Sequence, residues 1–183
     1  MEPESRWVQV IPTTPTIRHG YPVGMSENAL NRTPLFARHG QQGGKLVPFA
    51  GWEMPLHFGS ILEEHHATRT SGSIFDVSHM GRLSITGPAA ESLLERVVTR
   101  KIAGMKDGQA RYGLACQEDG GTIDDLIVNR MGPEDFLVVC NGANREAVVQ
   151  HLRAHNERGA DISDDTMGST MVAGQGPAAV QRM

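Results

Sequence analysis

The chain has 183 residues, with 17 Lys and Arg against 21 Asp and Glu and a net charge of −4. That length suits one ordinary domain with a real core, and without a broad basic field the chain is not expected to bind nucleic acid or an anionic membrane. Hydrophobic residues at 39% and charged residues at 21% argue against wholesale disorder. Cys116 and Cys140 are the only cysteines, both lie in apolar runs, and no CxxC pair occurs. That usage fits a reduced compartment better than a disulfide framework. No apolar stretch approaches the ~18 residues of a membrane span, and Met1-Glu2-Pro3-Glu4 lacks the basic start and apolar core of a signal peptide. The expectation is a cytoplasmic protein without membrane or nucleic-acid partners.

Residues 1–31 carry Pro3, Pro12, Pro15 and Pro22 with little amphipathic periodicity, so they read as an extended, disordered tail outside the core. Met25-Ser26-Glu27 stands just ahead of the first dense apolar pattern and offers a second candidate start. Residues 32–183 read as the globular part. Gly43-Gly44 leads into a short strand at 45–49, and residues 51–55 read as a loop anchored by Trp52. Residues 60–70 have a Ser60 cap, Glu63 three positions on and good helix formers, which predicts a capped helix ended by Gly72.

Two segments share a pattern. Residues 82–86 precede Gly87-Pro88-Ala89-Ala90, and residues 169–173 precede Gly176-Pro177-Ala178-Ala179. Each predicts a strand, a glycine, and a helix entered through proline, whose fixed φ suits the first turn. The first helix continues to Val98 as an amphipathic segment, while the second reaches Met183 before it shows a buried face. The chain is therefore expected to end inside a fold element. Between them, residues 111–116 and 122–131 predict strands joined by a turn at 118–121. Residues 136–140 predict a strand buried on both faces, and residues 143–155 predict a helix with Val148, Val149 and Leu152 inward. The order strand, helix, strand, strand, strand, helix, strand predicts an α+β fold with split βαβ, ferredoxin-like elements.

Chemistry concentrates at Gly120-Gly121-Thr122-Ile123-Asp124-Asp125-Leu126-Ile127-Val128. Strand alternation sends one of the two adjacent acids inward and leaves the other solvated. A pocket carboxylate can hold or accept a proton from a nitrogen heterocycle; equally, both acids can cap the turn. In Phe75-Asp76-Val77-Ser78-His79-Met80-Gly81 the Asp, Ser and His fall within four positions on one predicted strand, whereas triads are assembled from distant segments. His79 reads there as a structural histidine, and Met80 as either core or a polarizable wall for a flat ring. His57, His65, His66 and His79 lack metal-ligand spacing, so no metal site is expected. No GxGxxG or GxxxxGK[ST] loop is present to cradle a nucleotide. Asn141 and Asn144 read as helix caps or as amides that meet a ligand edge.

Several strings, taken together, resemble the aminomethyltransferase, or T-protein, family of the glycine cleavage system, in its N-terminal portion. They are Arg32-Thr33-Pro34-Leu35-Phe36, the segment from Val47 to Leu56 containing Phe49-Ala50-Gly51-Trp52-Glu53-Met54-Pro55, the Phe75 to Gly81 string, the Gly120 to Val128 string, and Gln175-Gly176-Pro177. Dehydrogenases, a demethylase and iron–sulfur assembly factors share the scaffold, and the Phe49 and Phe75 strings favour the transferase. The resemblance implies a transferase of glycine catabolism and one-carbon metabolism. It passes the aminomethyl carbon from the lipoyl arm of H-protein to tetrahydrofolate as co-substrate and releases ammonia, with no metal. It implies Asp125 as the catalytic aspartate, Asp124 as its supporting acid, and Met80, Tyr112 and Asn141 as pterin-lining positions. Family chains are longer, with further folate contacts beyond Met183, and Asn129 stands where some relatives have an aromatic residue. A non-catalytic folate-binding or assembly module, or an inactive fragment, is the alternative expectation.

Overall fold

The computed structural model describes residues 10–12 and 30–182. In chain order its elements are the strand Val10–Pro12 (β1), the helix Phe36–Gln41 (α1), the strands Lys45–Phe49 (β2) and Trp52–His57 (β3), the helix Ile61–Thr70 (α2), and the strands Ser73–Asp76 (β4) and Gly81–Thr86 (β5). Then come the helix Ala90–Val97 (α3), the strands Ala110–Cys116 (β6), Thr122–Gly132 (β7) and Asp135–Cys140 (β8), the helix Arg145–Ala154 (α4), the strands Asp161–Asp164 (β9) and Ser169–Gln175 (β10), and the helix Ala179–Arg182 (α5). They divide into two compact units, Met80–Met167 and the segments on either side of it. Of the predicted N-terminal tail, residues 10–12 form a strand antiparallel to β10; residues 1–9 and 13–29, with the candidate start at Met25, lie outside the described residues.

In the flanking unit, β2 and β3 form a hairpin whose two turn residues, Ala50 and Gly51, both have positive φ (50° and 80°). Two positive φ values in a two-residue loop match the right-handed twist of the flanking strands. The segment read as a loop is therefore a strand from Trp52 onward, with Trp52 and Met54 buried on one side. Pro55 is tolerated because it lies opposite Leu46, where the register shifts. In α2 the predicted cap forms: the Ser60 hydroxyl accepts the Glu63 N–H at 3.4 Å. The returning acid is Glu64, whose carboxylate accepts the Phe58 N–H at 2.7 Å.

The predicted single strand through residues 75–81 is two elements. β4 stops at Asp76 because its carboxylate accepts the Ser78 N–H at 2.9 Å and so turns the chain. The same carboxylate accepts the Thr33 hydroxyl at 2.6 Å and meets His39 Nε2 at 2.7 Å. Burial acts to raise the Asp76 carboxyl, but the hydrogen bonds of Ser78, Thr33 and His39 outweigh it and hold the group below its ordinary value of 3.8. A lowered folded value means that this stabilisation is present above about pH 4 and is lost as the pH falls through the folded value. Asp76→Asn is accordingly expected to flatten the acid limb of the stability curve, measured by urea unfolding between pH 3 and 7 at ~1-unit steps. An unchanged acid limb would remove Asp76 from that account.

The Met80–Met167 unit carries a five-stranded sheet in the order β6-β7-β8-β5-β9, all neighbours antiparallel. Without β6, the sequence β5-α3-β7-β8-α4-β9 is the ferredoxin-like βαββαβ arrangement, and β6 adds one edge strand. The fold class expected from sequence is the one observed, with one substitution. Its last strand is Asp161–Asp164, not the segment at 169–173, which pairs in the other unit. Leu83 and Ile85 of β5, Leu126 and Val128 of β7, and Phe136 and Val138 of β8 form the core, with Leu93, Leu94 and Val97 of α3 and Val148, Val149 and Leu152 of α4. In β8 every residue from Phe136 to Cys140 is buried, as its unbroken apolar run predicts. Both Gly-Pro entries turn alike: Gly87 has φ 93° and Gly176 φ 108°, and their carbonyls accept the N–H groups of Ala90 and Ala179.

Candidate functional site

Strand alternation in β7 resolves the paired acids. Asp124 shares the core-facing side with Leu126 and Val128 and is only 3% exposed, whereas Asp125 is exposed on the other face. Asp125 lies opposite Leu114 on β6, and Tyr112 lies opposite Ile127, so Tyr112, Leu114, Asp125 and Ile127 share one face of the sheet. Tyr112 is 59% exposed there. Asn141 follows the last residue of β8, and Cys140 pairs with both Leu126 and Gly81. Met80 immediately precedes Gly81, which sets it at the same end of the sheet as Asn141, half-buried.

Hydrogen bonds tie three of the predicted residues together. The Asn141 backbone N–H donates to Asp124 Oδ2 at 2.8 Å, and Asn141 Nδ2 donates to Asp124 Oδ1 at 2.9 Å. The same Nδ2 donates to Asp125 Oδ1 at 2.8 Å and approaches the Asp125 carbonyl at 3.3 Å. Asn144 Nδ2 donates to Asp124 Oδ1 at 2.7 Å. Asn144 is the cap residue of α4, but its side chain makes no cap bond. Both asparagine side chains hold carboxylates, so the capping reading of these residues does not apply. Met80 and Tyr112 flank the cluster without a hydrogen bond to it; Met80 contributes its carbonyl to Arg82 Nη1 at 2.6 Å.

The arrangement leaves Asp125 with one oriented oxygen and the other, Oδ2, without a partner among the described residues. An exposed acceptor beside the apolar and aromatic surfaces of Tyr112 and Ile127 can receive an N–H edge while a flat ring lies against the sheet. Two cavities of this unit, about 240 and 520 Å³, are lined by residues of α3, α4 and the strand ends, and neither includes the Asp125 cluster. The site is an open face of the sheet.

Cys140, beside Asn141, is fully buried. Burial first, then the nearby charges of Asp124 and Asp164, push its thiol up to about 12, so it stays protonated and is no nucleophile. Cys116 is only partly covered. Iodoacetamide at pH 8 is expected to label Cys116 at least about tenfold faster than Cys140 in peptide mass spectra, because a buried thiol reacts only on opening. Equal rates would contradict that placement.

The Asn144 contact with Asp124 was not anticipated from the sequence; the available signal was a second asparagine three residues after Asn141, both within reach of one turn. The cluster of Thr33, His39 and Asp76 has no sequence signal, since Asp76 lies 43 and 37 residues from the other two. That cluster borders a cavity of about 850 Å³ in the flanking unit, lined by apolar side chains including Phe58, Ile61, Ile74 and Phe75.

Comparisons with known proteins bear on the family. The chain is 47% identical over 158 residues to an aminomethyltransferase of Rubrobacter xylanophilus, covering 86% of this chain and 42% of that one. It is 43% identical over 150 residues to an aminomethyltransferase of Geobacillus kaustophilus, covering 82% of this chain and 41% of that one. The crystal structure of glycine cleavage system aminomethyltransferase T from Bartonella henselae superposes with a TM-score of 0.80 at 33% identity, over 84% of this chain and 42% of that one. The chain thus spans about two fifths of the length of these relatives. Residues 35–183 match the GCVT N-terminal domain, and on that match, supported by these relatives, the chain belongs to the GCVT N-terminal domain family.

Proposed function

We propose that this chain carries the folate-binding part of a glycine-cleavage aminomethyltransferase, acting in the cytoplasm with lipoylated H-protein and the other glycine cleavage components as partners. The reaction moves the aminomethyl carbon from the lipoyl sulfur of H-protein to tetrahydrofolate, frees the lipoyl thiol and releases ammonia. The observation that carries the reading is the Asp125 carboxylate, exposed, oriented by Asn141 and bordered by Tyr112 and Ile127 on one sheet face.

The residues fit the co-substrate. Asp125 Oδ2 can accept an N–H of the pterin edge, and Tyr112 with Ile127 offers the flat apolar surface on which its ring would rest. Tetrahydrofolate would supply the two amine nitrogens, one in the pterin ring and one on its side chain, that take up the carbon. Asp125 holds the ring in register and accepts the proton lost when nitrogen bonds to carbon. Asn141 keeps that carboxylate aimed, and Asp124 accepts the amides of Asn141 and Asn144, away from the reacting edge. Met80 adds a polarizable side at the end of the sheet.

The test is ammonia release from aminomethyl-loaded H-protein, with and without tetrahydrofolate, in the presence of this chain. Release that depends on both the chain and tetrahydrofolate is the expected result. Folate binding without release would assign the chain to a non-catalytic folate-binding module, and absence of both would sink the folate reading.

A further inference from the structure

We propose that Asp124 and Asn144 act as a positioning pair that sets which end of the Asn141 amide faces Asp125. The functional consequence rests on the folate-site reading above, whereas the positioning itself does not. An asparagine amide has a donor end and an acceptor end of nearly the same size, and its neighbours decide which end points where. Around Asn141 Nδ2 the three near atoms, Asp124 Oδ1, Asp125 Oδ1 and the Asp125 carbonyl, are all acceptors. A reversed amide would set its oxygen against all three.

Two of those acceptors belong to Asp125, the exposed group being oriented. Asp124 is the independent anchor. Its Oδ2 takes the Asn141 backbone N–H at 2.8 Å, and its Oδ1 is shared by Asn141 Nδ2 and Asn144 Nδ2. Every one of these hydrogen-bond partners is a neutral amide, so the buried carboxylate is held by donors alone and presents nothing but acceptors. Asn144 is held in turn by a tight turn, its N–H donating to the Asn141 carbonyl at 3.0 Å. The path runs from Asn144 to Asp124, from Asp124 to the Asn141 amide, and from there to Asp125.

The chemistry of Asp124 makes the inference specific. Asp124→Asn keeps the shape but sets an NH₂ among three donors; placed at the Oδ1 position, it is relieved when the Asn141 and Asn144 amides both reverse, which points the Asn141 carbonyl at Asp125, which then swings away. Asn144→Ala removes one of the two donors at Oδ1 and loosens the same path less.

The test uses the full chain labelled with 15N. Exchange of the two Asn141 Nδ2 protons is followed by NMR, with the Asn129 side chain, which donates to the Leu137 carbonyl at 3.2 Å, as internal control. Wild type is expected to exchange slowly at Asn141. Asn144→Ala should speed that exchange about threefold to tenfold, the loss of one hydrogen bond, and Asp124→Asn by more, with Asn129 unchanged in both. Anaerobic tetrahydrofolate titration of the same proteins should weaken in the same order. Unchanged Asn141 exchange in Asn144→Ala, or equal acceleration at Asn129, overturns the positioning role in favour of none or of general loosening. If wild type does not bind tetrahydrofolate, the folate reading fails while the exchange data still decide the positioning. Should Asp124→Asn not fold, Asn144→Ala decides alone.

Discussion

Asp125→Asn is expected to slow tetrahydrofolate-dependent ammonia release by about a hundredfold or more while leaving the fold intact, the range that loss of a general acid or base produces. The two parts of that expectation have separate causes. Asp125 is exposed and packs against nothing in the core, so an isosteric change there should alter stability by less than about 0.5 kcal/mol. Its chemistry is another matter, because the amide cannot take up a proton at the reacting edge. Its carbonyl oxygen can still accept the Asn141 Nδ2 at the Oδ1 position, 2.8 Å in wild type, which sets the new NH₂ at the Oδ2 position where an acceptor is needed. Tyr112→Leu, on the same face, should weaken binding with a smaller loss of rate, since it removes a ring surface and no proton acceptor. A rate for Asp125→Asn within twofold of wild type would take Asp125 out of the chemistry.

The second large effect is structural and contrasts two glycines that look equivalent in sequence. Gly176→Ala is expected to destabilise by about 3 kcal/mol or more, and Gly87→Ala by about 1 kcal/mol, measured by urea unfolding. Both have positive φ, 108° and 93°, so an added Cβ strains either backbone. Only Gly176 is also crowded. A Cβ there would lie 2.8 Å from both the Ser71 carbonyl oxygen and the Gly72 Cα, and closer still to the Thr68 carbonyl, all backbone atoms that cannot rotate aside. A Cβ at Gly87 would meet nothing within 4 Å. Equal losses at the two positions would mean that φ alone decides, and the close approach of the α2 end to the Gly176 turn contributes nothing.

What could be read from the sequence follows from how each element announces itself. The Ser60 cap makes α2 legible, apolar periodicity makes α3 and α4 legible, and apolar runs the β6, β7 and β8 strands, and with them most of the ferredoxin-like order. β9 escaped because Asp161–Asp164 is four residues with one apolar side chain, Ile162, and has no pattern apart from its pairing with β5. Residues 51–55 read as a loop from sequence because Gly51 and Pro55 usually break strands. The hairpin overrides both, since Gly51 sits in the turn itself and Pro55 at a register shift. The site was legible to the level of the acidic pair and Asn141. Which acid faces inward needed the register of β7 against β6 and β8, and the part played by Asn144 needed the turn that carries it back to Asp124. Local spacing carries no information on either.

A tetrahydrofolate site centred on Asp125 is tested by anaerobic calorimetric titration of tetrahydrofolate into the wild-type chain beside Asp125→Asn. Saturable one-to-one binding by wild type, weakened at least about tenfold in Asp125→Asn, is the predicted result. Folded, monodisperse wild-type protein that gives no binding isotherm, or equal affinity in the two proteins, would contradict it.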